Sequence, residues 1–228
     1  MQLRSILTAA LAAFFALTLT MVASAQDGNY MVRYANNLTG AAPTDTIVNI
    51  MNTGADYGQY HPLKSGVSGQ NASGNVCANI YIFDATDEQL VECCSCKLTP
   101  NQVGSYSSIG DFISNPLTGV KPNSIAIKIV GTWQITGGSC NPTTAGQTFQ
   151  SYTPGDTPSG GKITTTQDSV VVGGLAAWAR NSLGGETAFQ VATLTTSELA
   201  RATAYCAFNT VNGSGTGVCK TACKLGAQ

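Results

Sequence analysis

Val76 to Cys96 reads VCANIYIFDATDEQLVECCSC, and its pattern points to an antiparallel fold. β-Branched and aromatic residues run through Val76–Phe83, the composition that fits a pleated, half-buried surface. ATDE interrupts the run and QLVECCSC resumes it, so the stretch predicts a β-hairpin. Setting Phe83 opposite Leu90 places Cys77 opposite Cys96, Asn79 opposite Cys94 and Ile80 opposite Cys93. Side chains alternate along a strand, so Ile80, Ile82, Val91 and Cys93 share the more apolar face, expected to meet the core. Cys77, Asn79, Tyr81, Phe83, Leu90, Glu92, Cys94 and Cys96 share the other. Adjacent Cys93 and Cys94 therefore point to opposite sides and need different partners.

The chain holds eight cysteines: Cys77, Cys93, Cys94, Cys96, Cys140, Cys206, Cys219 and Cys223. An even number in an exported chain reads as disulfides. The register above expects Cys77 with Cys96, and a slip of two residues gives Cys77 with Cys94. Cys93 is expected to reach Cys140 or a C-terminal helix, and Cys206 to bond Cys219 or Cys223. Four soft ligands (Cys77, Cys93, Cys94, Cys96) also suit zinc or copper(I) in type. C-C-x-C is not a zinc-ribbon spacing, however, and an oxidising compartment opposes reduced thiols. The C-x-x-C dithiol of thioredoxin-like proteins is absent. The cysteines thus read as staples, with no metal and no cofactor expected.

Around the hairpin the chain continues in short strands. YMVRYANN, DTIVNIMNTG, VGSYSSI and SIAIKIVGTW are β-rich runs separated by turn residues, and Ile125, Ile127 and Ile129 alternate onto one face. Asp56–Asn75 is a long polar loop, and residues 137–161 are Gly/Pro/Thr/Ser-rich without periodicity. SVVVGGLAAWAR and AFQVATL read as closing strands, with Gly173-Gly174 as a bend. One helix is expected late, capped by Thr195 or Thr196, with Leu199, Ala202, Cys206 and Phe208 as its inward stripe. Residues 1–25 have the charged start, apolar run and Ala23-Ser24-Ala25 site of a secretory signal peptide. The expected organisation is a removed signal at 1–25, a sandwich domain at 26–194, and a helix with a cysteine-rich tail packed on it at 195–228. The fold class is mainly β: an immunoglobulin-like, disulfide-stapled antiparallel sandwich.

Composition narrows the function. Only 10% of residues are charged, and 11 basic stand against 12 acidic ones. No basic stripe occurs, so nucleic acid is not an expected partner. Nothing after the signal is apolar enough to span a bilayer. His61, the sole histidine, sits in a polar loop without a G-x-S-x-G elbow, so no nucleophilic triad and no catalytic residue is assigned. Asp84, Asp87, Glu88 and Glu92 form the one acidic cluster; Asp84, Asp87 and Glu88 make a weak calcium turn, because hard cations take clustered carboxylates. The spacing lacks the glycine and alternation of an EF-hand. Trp133 and Trp178 lie in strand-like runs and read as core residues. Asn37, Asn71 and Asn212 begin glycosylation sequons.

VCANIYIFDATDEQLVECCSCKLTPN and TTSELARATAYCAFNTVNGSGTGVCKTAC resemble segments of a family of exported, cysteine-rich hypothetical proteins of Acidobacteria. The resemblance implies export from a bacterium and a shared cysteine framework. It carries over no activity and no catalytic residue, and a bacterial host leaves the sequons without a role. Together these readings lead to an expected function. The chain should be a non-enzymatic structural or adhesive protein of the cell surface or extracellular matrix, secreted or periplasmic. Its expected partners are itself, other surface proteins or glycans, with self-assembly through a free strand such as NYMVRYANN as one route. The competing expectation is a secreted, carboxylate-dependent hydrolase of polysaccharide.

Overall fold

A computed structural model describes residues 28–62, 68–133, 140–145, 170–182 and 184–219. The expected signal peptide, most of the 137–161 loop and Cys223 lie outside these. The strands are β1 (Tyr30–Ala35), β2 (Thr46–Asn52), β3 (Tyr60–Pro62), β4 (Ser68–Gln70), β5 (Val76–Asp84), β6 (Leu90–Leu98), β7 (Val103–Ser107), β8 (Ile125–Trp133), β9 (Leu175–Asn181), β10 (Glu186–Ala188) and β11 (Gln190–Val191). One helix, α1 (Thr196–Asn212), follows them. β11-β1-β8-β5-β6 form a five-stranded sheet, β10-β9-β2-β7 a four-stranded sheet, and β3-β4 a small ribbon within the expected Asp56–Asn75 loop. All strand pairings within these sheets are antiparallel, as the mainly β reading expected.

The two large sheets share one core. Val48 and Ile50 of β2, Tyr106 of β7, and Ala177 and Ala179 of β9 pack with Met31, Ile80, Ile82, Ile127 and Ile129 of the larger sheet. Fully burying each large aliphatic or aromatic side chain stabilises by about 1.5–3 kcal/mol. The larger sheet has a second core on its opposite face. There Tyr30, Tyr81, Phe83, Leu90, Cys93 and Val130 meet Leu199, Ala202 and Cys206 of α1, together with Ala145. The molecule therefore has three layers: small sheet, large sheet, and a cover of α1 plus residues 140–145. Eight consecutive residues of β5, Val76–Phe83, are buried for this reason, and the strand shows no exposed face.

Burial on both faces forces polar side chains in β5 to find partners. Asn79 is fully buried. Its amide donates to the Val130 carbonyl (3.1 Å) and Thr132 Oγ1 (2.9 Å), and its Oδ1 accepts from Ser95 Oγ (2.7 Å). The network ties β8, β5 and β6 together. Tyr81 donates its hydroxyl to the Pro142 carbonyl at 2.7 Å, anchoring the cover to the sheet.

α1 starts where expected: Thr195 is the N-cap, accepting from the Glu198 N–H at 3.2 Å. Its inward stripe is Leu199, Ala202, Thr203, Cys206 and Asn209. Phe208, expected inside, is 57% exposed; three residues beyond Cys206 the helix brings Asn209 inward, and two residues beyond it brings Phe208 outward. Lys128 pairs with Glu198 and stands 4.7 Å from the Phe83 ring centroid. At Phe189 the chain passes from one sheet to the other, since β10 pairs with β9 and β11 with β1. Gly174, at φ +91°, makes the expected bend before β9.

Two expectations are corrected here. The NYMVRYANN strand is not free: β1 lies between β8 and β11 in its own sheet, so it cannot be the donor strand of a fibre. Trp133 is buried, but Trp178 is only half-buried. Trp178 shares a face with cross-strand Asn49 and Ala188, on the outer side of the small sheet. Alternation placed it away from Ala177 and Ala179, which took the core side.

Asn79→Ala is expected to destabilise the fold by about 1–3 kcal/mol, because it strands buried partners on two neighbouring strands; urea unfolding measures it. Alkali is the second lever. Burial, the leading cause, raises the phenol pKa of Tyr30, Tyr81 and Tyr106 well above the ordinary value of 10.0. The folded chain keeps these phenols protonated while the unfolded chain ionises, so their stabilisation is complete below about pH 10 and is lost as pH rises beyond it. Thermal melts from pH 9 to 11.5 should fall steadily, and Tyr81→Phe should flatten the fall.

Candidate functional site

The chemistry-bearing residues singled out in the sequence converge on the β5–β6 hairpin. Its two strands are held in an irregular register. Phe83 pairs with Leu90, as expected, but Ile82 pairs with Glu92, so a bulge shifts every later pair by one residue. Cys77 consequently faces Lys97, and Cys96 faces Ala78. A one-residue shift exchanges the faces of a strand. Ala78, Ile80, Ile82, Cys94 and Cys96 thus belong to the core between the sheets, while Tyr81, Phe83, Leu90 and Cys93 belong to the core under α1.

The disulfides follow from those faces. Cys93 bonds Cys206 on α1, and Cys94 bonds Cys219 in the tail beyond it. Cys77 bonds Cys140 in the cover. The expected pair of Cys77 with Cys96 is therefore wrong, and so is its alternative with Cys94: the bulge removes Cys96 from the face of Cys77, and Cys94 is engaged elsewhere. Cys206 bonds neither Cys219 nor Cys223, because α1 directs it toward Cys93. The opposition of Cys93 and Cys94, and the reach of Cys93 to the helix, are as expected. Cys96 is also disulfide-bonded.

At the hairpin's turn lies a small cleft of about 80 Å³, lined by Asp84, Asp87, Gln89, Leu90, Val91, Leu117, Thr118, Val120 and Pro122. Asp84 Oδ1 accepts from the Thr86 N–H (2.8 Å) and Asp87 Oδ1 from the Gln89 N–H (3.1 Å), so each aspartate shapes the turn with one oxygen. Glu88, at φ +60°, points elsewhere and pairs with Arg201 of α1 at 3.1 Å. The guanidinium pKa of Arg201 is raised, chiefly by its hydrogen bond to Glu88. Glu92 is buried at the bulge, its Oε1 accepting from the Asn115 N–H. The calcium turn expected of Asp84, Asp87 and Glu88 is thus divided between two surroundings. No group of three or more His, Cys, Asp or Glu suited to a metal occurs among the described residues.

The cleft is far below the roughly 300–1,000 Å³ of small-molecule sites. Trp178 sits on the other sheet. His61 falls in β3, and its side chain lies outside those described.

Sequence reading missed the residues that hold the tail. Asn115 Nδ2 donates to the carbonyls of Gly215 (2.7 Å) and Val218 (3.0 Å), and Asn209 Nδ2 to that of Leu90 (3.3 Å). An asparagine in a loop or helix carries no local signal of such long-range partners. Asp45 is similar: its carboxylate accepts from Ser107 Oγ (2.7 Å), Ser108 Oγ (2.9 Å) and the Ile109 N–H (3.1 Å), closing a π-helical turn after β7.

These features define a class: a mainly β, antiparallel, disulfide-stapled sandwich with a helix packed on it. Comparison with protein-family models, with curated proteins and with solved structures found no match. Three long-range disulfides mark a non-reducing, extracellular type of environment. No helix among the described residues is long and apolar enough to cross a membrane.

Non-reducing peptide mapping should recover Cys77–Cys140, Cys93–Cys206 and Cys94–Cys219, with Cys96 linked to the remaining Cys223 and no free thiol after denaturation. The double variant Cys94→Ser/Cys219→Ser is expected to lose about 2–5 kcal/mol of stability, read from the urea midpoint.

Proposed function

We propose that this chain is an exported, non-enzymatic structural or adhesive protein that acts at the cell surface or in the extracellular matrix. The observation that carries the reading is the placement of the disulfides: they join the hairpin to both the cover and the tail, on both faces of one sheet. Such cross-linking suits a protein that must persist outside the cell, where no chaperone or refolding machinery helps it. Exposed Tyr205, Phe208 and Val211 on α1 offer apolar contact to protein partners, and the half-buried Trp178 beside Asn49 offers a surface for glycans or proteins. The likeness of its cysteine-rich segments to exported proteins of Acidobacteria agrees with a bacterial surface role.

Fractionation of the native host tests it. Antibody or surface biotin should find the protein outside the cytoplasm, beginning near Gln26, and a deletion strain should lose adhesion or matrix cohesion. Recovery in the cytoplasm with reduced cysteines would sink the proposal. The hydrolase reading has one feature in its favour, the two aspartates lining the cleft. It predicts release of reducing sugar from polysaccharide that Asp84→Asn and Asp87→Asn abolish; we expect none to be released.

A further inference from the structure

We propose that the outer edge of β6 is a strand-docking site, filled within each chain by its own segment Thr196–Cys219 and filled by that segment of a second copy when concentrated protein is oxidised. This deepens the self-assembling form of the structural reading and rests on it. β6 ends the large sheet, and such an edge ordinarily leaves N–H and C=O groups open to pairing. Here the Cys93 N–H donates to the Gly217 carbonyl (3.0 Å), the Cys219 N–H donates to the Cys93 carbonyl (3.2 Å), and Val218 bridges Cys93 in parallel. The pairing is parallel in an otherwise antiparallel sheet, so the tail is an added strand and not a continuation of the meander.

The fit is specific. Gly217 adopts φ +72°, and a Cβ there would lie 2.8 Å from Asn209 Nδ2. Asn115 clamps the carbonyls on either side, at Gly215 and Val218. Two disulfides, Cys93–Cys206 and Cys94–Cys219, then lock the segment to the edge.

The disulfides and backbone bonds join the segment to β6, while the connection leading into it is held separately, by the Ala192 N–H on the Tyr30 carbonyl (3.0 Å) and by buried Leu194. A second copy presents an identical edge, so the same bonds form in trans, which is domain exchange. The intrachain disulfides close over sequence separations of 113 and 125 residues, so until α1 docks, a neighbour's segment competes once its concentration approaches the effective concentration of the tether. Tyr205, Phe208 and Val211, 42%, 57% and 80% exposed, stand beside the staple and give two such copies apolar surface to bury. Each linkage oxidises two thiols to one disulfide. The two electrons and two protons pass to a disulfide oxidant such as glutathione disulfide, which leaves as two thiols.

Full-length mature chain, half of it ¹⁵N-labelled, is reduced, denatured and refolded with a glutathione redox pair at micromolar and at near-millimolar concentration. The monomer should dominate the dilute sample. The concentrated sample should contain a covalent dimer in which Cys93–Cys206 and Cys94–Cys219 peptides join light to heavy chains, while Cys77–Cys140 stays within one chain. Intrachain linkages at every concentration would overturn the proposal, as would light–heavy linkages spread equally to Cys77–Cys140. That failure would leave the surface role standing, because the surface role is read from fractionation and not from linkage.

Discussion

Cys93 and Cys94 are neighbours in one strand, β6, and pleating sends one sulfur into each of two cores. The rest of the structure depends on that division. Between the sheets, Cys94 draws in the tail through Cys219; under the helix, Cys93 fixes α1 through Cys206. With the outer face of the large sheet covered by α1 and residues 140–145, β5 can be apolar on both sides. The few polar groups it carries, above all Asn79, must then be satisfied across three strands.

The same division governs the edges. A five-stranded sheet has two outer strands. One, β11, is two residues long, and β6 is closed by the parallel tail and by the Leu117 N–H on the Val91 carbonyl. Covering or shortening an edge keeps a β-protein from uncontrolled pairing. The cover on β6 is locked covalently by two disulfides.

Much of the architecture was legible in the sequence. The hairpin, the positions of β1, β2, β7, β8, β9 and α1, the Thr195 cap, the Gly173-Gly174 bend and the opposition of Cys93 to Cys94 all follow from local alternation, propensity and turn chemistry. The expected disulfide of Cys77 with Cys96 did not survive, for a single reason. The bulge between Ile82 and Phe83 is an insertion of one residue in pairing, and no residue type there announces it. Trp178 and Phe208 lie outside the cores despite their apolar identity, because alternation at Ala177–Ala179 and the helical turn at Cys206 fix their sides.

The acidic turn shows the same boundary from the side of function. Asp84, Asp87, Glu88 and Glu92 are close in sequence, yet one faces a cleft beside another, one pairs with the helix and one is buried at the bulge. Sequence by itself determined the longer strands, the helix and its cap and the even complement of cysteines, because these rest on local periodicity and composition. Tertiary structure alone decided which cysteines meet, that the large sheet is buried twice, and that the tail closes the β6 edge. Those outcomes depend on register and on contacts more than a hundred residues apart, and neither is encoded in any window of the chain.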